Sequence, residues 1–93
     1  MKLEWSPTAR HDLRQVEAFI ADDNPRAAAE MAERIIQATE RLTTFPNSGR
    51  PGRLPHTREL VIPGTPFILP YRVKNDVVEI LAVLHGARRW PEV

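Results

Sequence analysis

Apolar and polar residues alternate in KLEW, with Leu3 and Trp5 on one side, and this period predicts a first strand over residues 2–5. The period then lengthens. Ala9, Leu13, Val16 and Ile20 recur at spacings of four, three and four, with Phe19 widening the stripe, which predicts an amphipathic helix. Ser6 is suited to cap that helix, and Pro7 to occupy its first position, where no hydrogen bond of a backbone N–H is lost. The helix ends near Asp22-Asp23-Asn24, and Asn24-Pro25 repeats the cap-and-proline device. A second apolar stripe follows at Ala28, Met31, Ile35, Ala38 and Leu42, with Ile36 beside it, and Pro46 sets the limit of this helix. A connection this tight makes the two helices an antiparallel hairpin.

Strand patterning returns at Arg58–Ile62, Phe67–Lys74 and Val77–His85. Asn75-Asp76 reads as a two-residue turn, which places Lys74 opposite Val77, Arg72 opposite Glu79 and Phe67 opposite Leu84. In that register Phe67, Leu69, Tyr71, Val73, Val78, Ile80, Ala82 and Leu84 form the core face. Ile68, Pro70, Arg72, Lys74, Val77, Glu79, Leu81, Val83 and His85 share the other, open face. Pro70 lacks a ladder donor, so a bulge or an unpaired side is expected there. The expectation is an α+β fold: an N-terminal strand and a helical hairpin packed on a twisted, mainly antiparallel sheet of about four strands, with residues 1–93 as one domain.

Composition narrows the function. With no cysteine among 93 residues, disulfides and thiolate metal sites are excluded, and a cytoplasmic location fits. The first residues have no signal-peptide core, and no stretch is apolar enough to span a membrane. The net charge of +1 hides an asymmetry. Residues 1–49 carry six Lys/Arg against eight Asp/Glu, and residues 50–93 carry seven against four. The second half therefore favours an acidic or anionic partner.

No phosphate loop, nucleophile elbow or metal-ligand spacing is present, so neither a metal nor a cofactor is expected. What remains is a set of cations near the open face: Arg50, Arg53, His56, Arg58, Arg72, His85, Arg88 and Arg89. Arginines that hold a phosphate and a histidine that moves a proton would suffice for metal-independent RNA cleavage. The same cations, with Ile68, Leu81, Val83 and Trp90 between them, equally make a seat for an acidic amphipathic segment.

Five stretches carry a family resemblance: WSPTARHDLRQVEAFIADDNPRAAAEMAERI, FPNSGRPGR, REL, PYRV and VLHGARRWP. In this order and spacing, over about residues 3–91, the chain resembles the RelE/ParE superfamily, the toxins of type II toxin–antitoxin modules. The resemblance implies a cytoplasmic toxin bound and neutralised by a cognate antitoxin with an acidic C-terminal segment. It also implies one of two targets. ParE-like members poison DNA gyrase and are not enzymes in doing so. RelE-like members cut mRNA on the ribosome with a basic cluster, which here falls on Arg58, Arg72 and His85. The long second helix and the HGARRW ending resemble the ParE side more closely, and the lysines of the RelE type are missing.

Overall fold

The computed structural model describes residues 1–86 and Trp90. Arg88 and Arg89 lie outside the described residues. Strand β1 spans Lys2–Trp5, helix α1 Pro7–Ala21 and helix α2 Pro25–Glu40. Strands β2 (Arg50–Pro51), β3 (Arg58–Val61), β4 (Phe67–Lys74), β5 (Val77–Ile80) and β6 (Leu84–His85) follow. Both expected caps form: the Ser6 Oγ accepts from the Ala9 N–H at 3.0 Å, and the Asn24 Oδ1 accepts from the Ala27 N–H at 3.1 Å. Helix α2 ends before Pro46 comes into play, tightening into a 3-10 turn at Arg41–Thr43.

The strand order is β1-β5-β4-β3-β2, with β6 pairing β4 beyond the end of β5. β1 joins β5 in parallel, whereas every other pairing is antiparallel, so the sheet is mixed and closed by the first residues of the chain. The Asn75-Asp76 turn forms with both residues at positive φ, 52° and 62°, as a two-residue hairpin of this twist requires. It sets Lys74 opposite Val77 and Arg72 opposite Glu79.

Beyond Ile80 the expected register fails. Phe67 pairs with His85, not Leu84, so one extra residue has entered the second strand. Pro70 is the cause. Leu81 N–H still donates to the Pro70 carbonyl at 2.9 Å, but Pro70 has no N–H to return. The Ser6 hydroxyl takes its place and donates to the Leu81 carbonyl at 3.1 Å, while the Val83 N–H turns to the Asp12 carboxylate at 3.0 Å. The N-terminal turns of α1 thus satisfy the backbone that the ladder abandons.

The core lies between the hairpin and one face of the sheet. Ile35 and Leu42 meet Leu69, Tyr71, Val78 and Ile80, all fully buried. α2 presents Ala28, Ala32 and Ala38 around Ile35, and such small side chains let the helix sit close. Two expectations of burial are corrected. Phe19, placed on the apolar stripe of α1, is 82% exposed. Val73, expected in the core, is exposed because β3 begins at Arg58, opposite Tyr71, and no strand covers β4 beyond it on that side.

Candidate functional site

Glu59 organises the basic loop. It is 3% exposed and stands in β3 opposite Pro70 of β4 and opposite Arg50 of β2. Its Oε1 accepts from Arg50 Nε and Nη2 at 3.2 and 3.0 Å. Its Oε2 accepts from the Arg53 N–H at 3.2 Å and faces Arg53 Nε at 3.3 Å. A buried carboxylate is costly unless paired in this way, and here the pairing folds residues 50–57 over the sheet.

The other side of the loop is held by Tyr71. Its hydroxyl donates to the Pro46 carbonyl at 2.7 Å and accepts from the Gly49 N–H at 2.9 Å. Gly49 leaves the room for this: a Cβ there would lie 2.6 Å from the Tyr71 ring and hydroxyl. Burial raises the Tyr71 pKa, opposed by the Gly49 hydrogen bond and by the Arg58 charge. Arg58 donates to the carbonyls of Gly49 at 2.8 Å and Asn47 at 3.3 Å. Neither acceptor carries a charge.

Between these anchors the loop closes on itself. Gly52 N–H donates to the Thr57 carbonyl at 2.8 Å, and Thr57 Oγ1 donates to the Leu54 carbonyl at 2.6 Å. His56 stands at φ 64°, a left-handed conformation uncommon for a residue with a side chain. His56, Arg58 and Arg72 line a concavity of about 330 Å³ together with Asn47, Thr57 and Val73.

The structure therefore brings Arg50, Arg53, His56 and Arg58 together at the β2 edge. Arg72 borders the same concavity, with its Nε 2.7 Å from Glu79 as the register predicted. His85 is separated from them. The extra residue turns it to the helix side, where its ring meets Phe67 edge-on at 5.7 Å and where it shares a cleft with His11, Asp12 and Gln15 of α1. The expected open-face cluster of Arg58, Arg72 and His85 is thus divided between two sides of the sheet. The expected apolar seat is also smaller: Val83 is buried, and Ile68, Leu81 and Trp90 are half-buried.

A second concavity lies at the opposite edge of the sheet. Leu3 and Trp5 of β1, Leu13 of α1 and Ile36 of α2 form its apolar lining, and Arg10 and Arg14 stand at its rim with Glu4. Among the described residues, no carboxylate pairs with Arg10 or Arg14, and no group of three His, Asp or Glu is disposed to hold a metal ion. Glu59 and this groove are what sequence reasoning missed. The signal for Glu59 was its place: the one acid in a stretch with Arg50, Arg53 and Arg58 around it.

The sequence model of the ParE toxin of the type II toxin–antitoxin system parDE matches residues 3–90. The protein Y4kP of Sinorhizobium fredii is 45% identical over 99% of this chain and 95% of its own length. Toxin RelE2 of Caulobacter vibrioides is 31% identical over 90% of this chain and 93% of its own. Among solved structures, the chromosomal ParDE toxin–antitoxin system of P. aeruginosa contains a chain with a TM-score of 0.83 and 27% identity, covering 92% of this chain and 96% of that one. The RelBE2 toxin–antitoxin complex of Mycobacterium tuberculosis gives a TM-score of 0.61 at 28% identity, over 94% and 92%.

Proposed function

Starting from a chain that belongs to the ParE toxin family of type II toxin–antitoxin systems, we propose that it arrests growth by poisoning DNA gyrase whenever its antitoxin is lacking. One observation carries this reading: the groups that RNA cleavage would need are divided and engaged. His85 faces the helices, Arg72 is paired with Glu79, and Arg58 is committed to two carbonyls. What the loop offers is a shaped, cationic surface suited to binding a protein. The closer likeness to the ParDE chain supports the same side of the superfamily.

The partner that restrains it is a cognate antitoxin in the cytoplasm, joined to it as a hetero-oligomer. Its acidic C-terminal segment suits the β1 groove, where Leu3, Trp5, Leu13 and Ile36 offer apolar contact and Arg10 and Arg14 supply the opposing charge.

The test is a supercoiling assay with toxin released from its antitoxin, gyrase, ATP and relaxed plasmid. Inhibited supercoiling with linear, gyrase-linked DNA is the expected result. Gyrase unaffected by a folded toxin that still rebinds antitoxin overturns the reading. A second reading, metal-independent mRNA cleavage on the ribosome, is favoured by the concavity that gathers His56, Arg58 and Arg72. Transcripts cut after induction would establish it.

A further inference from the structure

The loop at the β2 edge is held more firmly than its length requires. Glu59 gathers two arginine side chains and a backbone N–H from it, Tyr71 closes its base, and Thr57 closes its tip. A buried ion pair adds little stability compared with an apolar pair of the same volume, so its contribution here is the fixed shape of the loop. That shape includes His56 at a strained backbone angle with its side chain exposed. It also leaves Leu54 at 36% exposure between Arg53 and His56.

The charge is as informative as the shape. By sequence, residues 50–59 hold three arginines, Arg50, Arg53 and Arg58, against the single acid Glu59, which makes this segment basic. Among the described residues, Arg58 has only carbonyl partners for its charge. A preordered basic surface with one exposed leucine loses little conformational freedom on binding, and it complements a carboxylate-rich surface.

We propose that residues 50–57, with Arg58 beneath them, are the element with which this toxin docks on an acidic patch of its target protein, separately from its antitoxin. The proposal rests on the reading of the chain as a target-binding toxin and extends it to a location. The β1 groove and this loop stand at opposite edges of one sheet, so the two partners use different surfaces.

The experiment uses His56→Glu in the full chain, purified with its antitoxin and then released. His56→Gly serves beside it, because glycine adopts φ 64° freely and so removes the imidazole without straining the fold. Three quantities are read: growth arrest on induction, affinity for the antitoxin, and binding to a short DNA duplex. Growth arrest does not depend on which target is correct. If wild-type toxin arrests cells yet leaves gyrase untouched, the gyrase reading fails while the docking proposal is still tested. The expected result is a loss of potency of about tenfold or more for H56E, with antitoxin affinity within about twofold of wild type. Unchanged potency overturns the proposal. A parallel loss of antitoxin affinity also overturns it, because the loop would then be the antitoxin's seat. Duplex binding by wild type that H56E abolishes overturns the acidic protein partner in favour of a nucleic acid.

Discussion

The Tyr71 hydroxyl and the Gly49 N–H meet at 2.9 Å beneath the basic loop, and the absence of a side chain at residue 49 is what permits the approach. Gly49→Ala would push a methyl group to within 2.6 Å of the Tyr71 ring, with the Glu59 carbonyl 2.9 Å away on another side. Neither neighbour has room to move, so the substitution is expected to cost about 1–3 kcal/mol. Urea unfolding with an unchanged slope and a lowered midpoint is the check.

Tyr71 is the single tyrosine of the chain, so its ionisation can be followed by tyrosinate absorbance without interference. Burial holds its folded pKa above the 10.0 of a free tyrosine. Between these two pKa values the unfolded chain has released the proton and the folded chain retains it, so unfolding is favoured as pH rises. Stability should therefore be intact below pH 10 and decline above it, with tyrosinate appearing in the folded protein only above that value. A tyrosinate transition at the free value in a folded protein would contradict this.

Glu59→Gln retains an acceptor for the Arg53 N–H but removes the charge facing two guanidinium groups. The expected cost is about 2 kcal/mol, less than for a fully buried pair because Arg50 is about half exposed. The loop should loosen before the core does. Trypsin cutting after Arg53 at a rate well above wild type, under conditions where the fold persists, would report it.

Arg72→Ala and His85→Ala separate the two target readings. The Arg72–Glu79 pair lies largely in solvent and contributes less than about 1 kcal/mol, so the Arg72 variant should fold normally. For a gyrase poison, each should keep growth arrest within about threefold, because binding energy is spread over many contacts. For a ribonuclease, at least one should lose about two orders of magnitude or more in transcript cleavage.

Ile36→Asp probes the other edge. Ile36 is 37% exposed and lines the β1 groove, so a carboxylate there costs the fold little but repels an acidic segment. Antitoxin affinity should fall about tenfold or more while growth arrest in the absence of antitoxin is unchanged. Calorimetric titration of antitoxin into each variant is the measurement.

Much of the fold was legible because local chemistry and tertiary need agree. Ser6-Pro7 and Asn24-Pro25 start helices by rules that operate within one turn, and Asn75-Asp76 sets a register that holds from Lys74 through Tyr71. The failures are all non-local. That a hydroxyl at position 6 would stand in for the missing N–H of Pro70 could not be read from either segment, and with it went the facing of His85. Phe19 fits a helical stripe, but whether a stripe residue is covered depends on where the sheet ends. At the site, the arginines were visible as composition. The acid that arranges them was not, because Glu59 looks like one more solvent-facing position of an alternating strand until the loop is folded over it.

The parallel pairing of β1 with β5 also governs the order of events during synthesis. Lys2 lies beside Val77, and Trp5 beside Ile80, so β1 has no partner on this side until β5, far along the chain, has been made. The helical hairpin can form early from neighbouring residues, but the sheet that holds the toxin's shape waits for contacts of high sequence separation. The sheet therefore cannot be completed before β5 has emerged, and the toxin's folded surface forms in one late step and not by gradual gain.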